Sequence, residues 1–243
     1  MSFTSRIHLH ITRPMNIKLL RKLRTELKQA ADPRKAPDMQ RYMKSTMPYH
    51  GVQAPVARKL FREILGSLQF NDAREWQDAV LHIWRHAKFR EERYAAIALC
   101  EYRNAKAFQT PEALPMYEEM IVTGAWWDYV DTIASHCVGD LLRRHAKTMA
   151  KTMRTWSRSD DMWKRRTSIL CQLGFKKATD LRLLYLCIEP SLDSKEFFLR
   201  KAIGWALRQY AWTNPNEVRR YVTEQGDRLS PLSKREALKN IHL

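Results

Sequence analysis

Apolar residues return every three to four positions along most of this chain, the spacing that lines one face of an α-helix. Ile17, Leu20, Leu23 and Leu27 form one such stripe; Leu60, Ile64 and Leu68 form another, and Leu183, Leu186 and Cys187 a third. The period predicts about a dozen helices, most of about 10–18 residues, and nothing reads as a β-hairpin. Helix starts are expected where a capping residue precedes proline: Asp32-Pro33, Thr110-Pro111, Asn214-Pro215 and Ser230-Pro231. Asn214 with Glu217, and Ser233 with Glu236, have capping-box spacing. With only 7 glycines in 243 residues, the chain has the punctuation of an all-α protein.

Successive helix pairs occupy about 40 residues, near the period of HEAT-type repeats. The pairs share no obvious sequence similarity, so a compact helical bundle is the alternative. No low-complexity linker divides the chain, and a single domain is expected over residues 16–243. Residues 1–15 alternate apolar and polar without the apolar centre of a signal peptide. They read as an N-terminal extension, disordered or left over from cloning.

Charge changes the picture. The net charge is +17, a self-repulsion that a polyanionic partner would relieve. Between Arg143 and Arg182, twelve Lys and Arg face only Asp160, Asp161 and Asp180, a net +9 in forty residues. A phosphate-contacting wall is the reading, against a merely solvated basic face. No apolar run approaches the ~20 residues of a spanning helix, so no membrane partner is expected. Cys100, Cys137, Cys171 and Cys187 are widely spaced beside apolar residues, which favours buried reduced thiols and a cytoplasmic protein.

Familiar catalytic signals are absent: no GxGxxG, P-loop, GxSxG or CxxC occurs. His82 and His86 have the spacing of a helical metal pair without the Glu of HExxH. Those two, like His8 and His10, read as ordinary histidines, and neither metal nor cofactor is expected.

The segment Ala125-Trp126-Trp127-Asp128-Tyr129-Val130-Asp131 stands out, after an apolar helix and a break at Gly124. Trp127 and Asp131 are four apart, hence on one helical face. Asp128 is expected to cap the new helix and Trp126 to pack in the core. In a second segment, Trp205 and Arg208 share a face, and Gly204 in mid-helix leaves room for another helix or a ligand. On periodicity alone, both tryptophans as plain core residues remains an equal reading.

Beyond those residues, WWDYVD (126–131), SDDMWKRRTSILCQL (159–173), SKEFFLRKAIGWALRQYAWTNP (194–215) and SPLSKREALKNI (230–241) closely resemble the AlkD-type DNA alkylation repair family. RYMK (41–44) and GVQAP (51–55) resemble its N-terminal part, so the likeness spans about residues 16 to 243. It implies a C-shaped, right-handed solenoid of HEAT-like antiparallel helix pairs with a basic concave face for duplex DNA. It also implies hydrolysis of the N-glycosidic bond of cationic 3-methyladenine and 7-methylguanine, by a monomer without base flipping. Position by position, Asp131 resembles the catalytic carboxylate, and Trp127 and Trp205 the indoles flanking the lesion's deoxyribose. Arg166 resembles the active-site arginine, grouped here with DNA-contacting residues. Tyr42, Gln53 and Arg208 match DNA-proximal positions, and Phe197 and Phe198 aromatic residues near the site. Gly174 departs from the pattern where a DNA-contacting lysine is expected, leaving Lys176 as the candidate substitute.

The implied chemistry suits these residue types. A cationic purine leaves as a neutral base without a general acid, and a carboxylate stabilises the oxocarbenium ion left on the sugar. Indole faces add cation–π attraction of about 2 kcal/mol each when desolvated. Asp131 is expected to be exposed and ionised at neutral pH, well above its reference pKa of ~3.9, and its Asn variant to fold normally. The competing reading is a catalytically inactive HEAT-like module that binds DNA backbone or distorted duplex; a protein-binding scaffold comes third.

Overall fold

The computed structural model describes residues 14–241. Within them are fourteen α-helices joined by short 3₁₀ turns, with no strand, as the periodicity requires. His8 and His10 lie outside the described residues, as do residues 1–13 of the expected extension. Helix α1 (Pro14–Gln29) begins inside that span.

Contacts gather the chain into two compact units, residues 1–105 and 106–243. The first holds α1, α2 (Ala36–Met43), α3 (Ala54–Leu65), α4 (Ala73–His86) and α5 (Arg90–Cys100). Its core takes Leu20, Leu23 and Leu27 from α1, Ile64 from α3, and Trp76, Val80, Ile83 and Trp84 from α4, all 5% exposed or less. Ile17 is 44% exposed, whereas Asn16 and Leu19 are buried. Three of the four stripe positions of α1 are thus buried as expected; Ile17, in the first turn, is the exception, because tertiary packing decides how far along the helix the stripe is covered.

Two acids at the start of α5 organise this unit. Glu91, fully buried, accepts the backbone N–H groups of His50, Gly51 and Val52 at 3.0–3.1 Å, which pins the GVQAP turn. Glu92 takes the Arg24 guanidinium. Both carboxylates also lie in the first turn of a helix, where its dipole favours negative charge.

The second unit holds α6 (Leu114–Gly124), α7 (Trp127–Thr132), α8 (Gly139–Arg144), α9 (Ala146–Trp156) and α10 (Met162–Leu170). Then come α11 (Leu181–Ile188), α12 (Phe197–Ala211), α13 (Pro215–Gln225) and α14 (Pro231–Leu238). Leu199, Ile203 and Leu207 of α12 are buried against Leu170, Ile188 and Ala237 of its neighbours.

The proline starts are partly right. Asn214 and Ser230 cap α13 and α14 through N–H bonds from Glu217 and Ser233. Thr110-Pro111 opens a 3₁₀ turn that runs into α6, and Asp32-Pro33 a turn that ends four residues later in α2. Ser233 lies within α14 and forms no box with Glu236, whose carboxylate is engaged elsewhere. All four cysteines are buried thiols, and burial pushes Cys187 up to about 12.

Candidate active site

The Trp-rich segment forms where α6 gives way to α7. The break falls at Ala125, one residue after Gly124, with a left-handed φ of 44°. Such a backbone costs a Cβ-bearing residue about 1–2 kcal/mol. Trp126, extended, occupies the cap position of α7, so Asp128 lies in the first turn instead of capping it. The Trp126 ring packs as expected, edge-on to Phe198 at 5.5 Å and 6.4 Å from Trp163.

Trp127 and Asp131 share one face of α7, as their spacing dictates. Directly after Thr132 the helix widens into a π-helical turn, Ile133–Val138, before α8. Such turns are uncommon and recur at functional sites. The Ser135 hydroxyl donates to the Asp131 carbonyl at 2.6 Å in this turn.

Asp131 is not exposed. Only 8% of it is accessible, and Arg166 grips its carboxylate in a two-pronged pair, Nε to Oδ1 at 2.7 Å and Nη2 to Oδ2 at 2.8 Å. Burial pushes the carboxyl above its ordinary value of 3.8; the Arg166 hydrogen bonds and charge oppose this, and nearby Asp128 adds to it. Each oxygen keeps a further lone pair beyond the Arg166 fork. Arg166 itself is 4% exposed and donates its remaining arm to the Phe198 carbonyl. With its fork buried it holds Asp131 in place and ties α7, α10 and α12 together; it is not free to reach a phosphate.

Helix α12 supplies the opposite wall. Lys201, Trp205 and Arg208 recur at four and three along one face. Glu236 of α14 accepts from Lys201 Nζ at 2.9 Å and Arg208 Nη1 at 2.6 Å. The Lys201 hydrogen bond, then the charges of Lys201, Arg208 and Lys239, hold the Glu236 carboxyl below its usual range. Gly204 makes this approach possible, since a Cβ there would stand 2.5 Å from the Glu236 Cβ. Of the two readings of Gly204, the structure selects the neighbouring helix.

Trp127, Asp131, Arg166, Phe197, Phe198, Trp205 and Arg208 thus line one cleft of about 280 Å³, completed by Lys201 and Glu236. Neither of the last two is a site candidate by sequence, where Glu236 has only capping-box spacing with Ser233. Lys201 lay four residues before Trp205 and was legible by spacing; Glu236 had no such signal. Tyr42 (77% exposed) and Gln53, which accepts from Lys35 Nζ at 3.0 Å, belong to the first unit. Lys176 lies outside the Asp131 cleft, beside Gly174 and Trp212 in a second one.

The basic run does not make one wall. Arg166 is internal, Lys164 pairs with Glu118, Arg144 with Asp140, and Arg165 bonds Ser191 and the Pro190 carbonyl. Lys147, Lys151, Arg154 and Arg158 remain exposed at spacings of four, three and four, hence on one side of α9 and its C-terminal extension. His82 and His86 meet ring to ring at 4.3 Å, and no group of three or more metal-ligating side chains occurs among the described residues. No helix among them is long and apolar enough to cross a membrane.

Known proteins share the fold and the family of this chain. A predicted DNA alkylation repair enzyme from Enterococcus faecalis has a similar structure, with TM-score 0.74 and 28% identity, over 87% of this chain and 96% of that one. The smu.31 protein of Streptococcus mutans shares the fold, with TM-score 0.58 and 15% identity over 76% and 92% of the two chains. No curated protein matches the chain. The model of the DNA alkylation repair enzyme family matches residues 23–241, nearly the whole length, and the chain belongs to that family.

Proposed function

We propose that this protein is an AlkD-type, monofunctional DNA glycosylase that removes cationic N3- and N7-alkylated purines, such as 3-methyladenine and 7-methylguanine, from duplex DNA. The observation that carries the reading is a carboxylate, Asp131, held rigidly by Arg166 in a cleft whose other walls present Trp127 and Trp205. In the proposed reaction the C1′–N bond breaks and its electron pair neutralises the departing base. The sugar becomes an oxocarbenium ion, and Asp131 and the indole faces stabilise it. Water then adds to C1′ and gives its proton to Asp131 or to solvent. No histidine lines the cleft, in keeping with a leaving group that needs no proton. With catalysis directed at the sugar, the base need not be flipped into a pocket. The protein acts as a monomer on the chromosome in the cytoplasm, without cofactor or metal.

One observation favours a second reading. Arg166 neutralises Asp131 as it would in a purely structural ion pair, which suits an inactive module that binds DNA backbone or distorted duplex. A single experiment separates the two: release of free base from matched duplexes, each carrying one lesion. The glycosylase reading expects release of 3-methyladenine and 7-methylguanine, with hypoxanthine left in place. Binding without any release establishes the second reading, and efficient hypoxanthine release means that a proton donor operates.

A further inference from the structure

Trp212 is 72% exposed, an extreme for so large an apolar side chain. It caps the C-terminal end of α12, seven residues after Trp205, so the two lie on the same side of that helix, about 10 Å apart along its axis. Beside Trp212 opens a cleft of about 370 Å³, to which Tyr210, Gln209 and Thr179 contribute an aromatic surface, an amide and a hydroxyl. No acidic side chain lines it, and among the described residues no carboxylate pairs with Lys176, exposed at its rim, or with Lys177, exposed in an adjoining hollow that shares Lys176 and Trp212.

The rim is built, not slack. Gln172 exchanges two hydrogen bonds with the Asp180 backbone, at 3.0 and 2.8 Å, closing the loop between them. Arg143 donates to the Gly174 carbonyl at 3.2 Å and lies 4.2 Å over the Phe175 ring. Gly174 (φ 78°) and Lys176 (φ 54°) both take left-handed backbone, so the loop turns sharply where its lysines begin. An open indole, hydrogen-bonding groups within reach and two unpaired cations match the three parts of a nucleotide: base face, base edge and phosphate.

We infer that this second cleft binds an unpaired nucleobase of the DNA on which the protein acts, with Trp212 stacked on the base and Lys176 and Lys177 against its phosphates. The inference rests on the proposed DNA-repair function. The two indoles are separated by about 10 Å, no more than the rise of about three base steps, so the subsite would sense unpairing within a few base pairs of the lesion. The indole sets the preference for an unpaired base, and the lysines strengthen binding to any DNA.

The test compares the full chain with its Trp212→Ala, Trp212→Phe and Lys176→Gln/Lys177→Gln variants. Fluorescence anisotropy measures binding to two labelled, undamaged duplexes, one fully paired and one with a single bulged adenine. Wild type should prefer the bulged duplex. Trp212→Ala should lose roughly tenfold on it and nothing measurable on the paired one, while Trp212→Phe keeps most of the preference. The lysine variant should weaken on both duplexes, with a shallower salt dependence. Equal binding by Trp212→Ala and wild type overturns the inference. So does an equal loss on both duplexes, or a loss on the bulged one that Phe does not restore. Base release from a 7-methylguanine duplex is measured separately on wild type: its absence overturns the glycosylase reading while leaving the bulge comparison valid.

Discussion

At the scale of single residues, the pairing of Asp131 with Arg166 changes what a mutation there means. Removing one partner of a buried ion pair leaves the other charge unmatched, a loss of about 3–5 kcal/mol. Asp131→Asn keeps the shape and one acceptor, so its cost should fall near the lower end. We expect this variant to bind duplex DNA normally, excise 7-methylguanine about a hundred- to thousandfold more slowly, and unfold at lower denaturant. Burial of Asp131 thus overturns the expectation of a normally folded Asn variant. Arg166→Met should destabilise similarly, whereas the double variant should recover part of both losses. Full additivity in denaturant melts would count against the pair. The raised Asp131 carboxyl has a pH signature too. The useful form is ionised, so excision should decline on acidification from a pH above 3.8, where an ordinary aspartate is still charged. A single-turnover pH profile whose acid limb lay below 3.8 would contradict the assignment.

At the scale of elements, the cleft depends on how closely α12 and α14 approach. Gly204→Ala improves helix propensity by up to about 1 kcal/mol, yet the new methyl would meet the Glu236 Cβ at 2.5 Å and the Ser233 carbonyl at 2.9 Å. Both contacts lie on a packed helix, so the clash should win, with a net loss of about 1–3 kcal/mol. Because α14 carries the carboxylate that holds Lys201 and Arg208, base release should fall along with stability. A variant as stable as wild type in urea melts would mean that the helices separate at no cost. The π-helical turn after α7 contributes in another way, setting the direction in which the chain leaves Asp131.

At the scale of the whole molecule, a net charge of +17 predicts strongly salt-dependent binding. Each phosphate contact releases counterions, and the logarithm of affinity should fall with the logarithm of salt by about 0.9 per contact. The exposed row Lys147, Lys151, Arg154 and Arg158 is the first place to look for those contacts. Replacing all four with Gln should reduce the slope by up to about 4 if each meets a phosphate. An unchanged slope would move the interface elsewhere. The internally paired Arg144, Lys164 and Arg165 should contribute little to it.

The all-helical fold was legible because helix formation leaves a local mark. Burying one side of a helix places apolar residues at three and four, and a capping residue before proline marks where the helix starts. The same locality placed Trp127 with Asp131, and Trp205 with Arg208, on common faces. Their joint role is what the family resemblance implies. Contacts between distant parts of the chain left no such mark. Asp131 meets Arg166 across 35 positions, and Glu236 meets Lys201 and Arg208 across 35 and 28. The burial of Asp131, its raised carboxyl and the inward turn of Arg166 all follow from those meetings. The exposure of Ile17 has the same origin. Residue spacing determines which side chains share a helical face; only helix-against-helix packing determines whether that face meets solvent, a neighbour or an opposite charge.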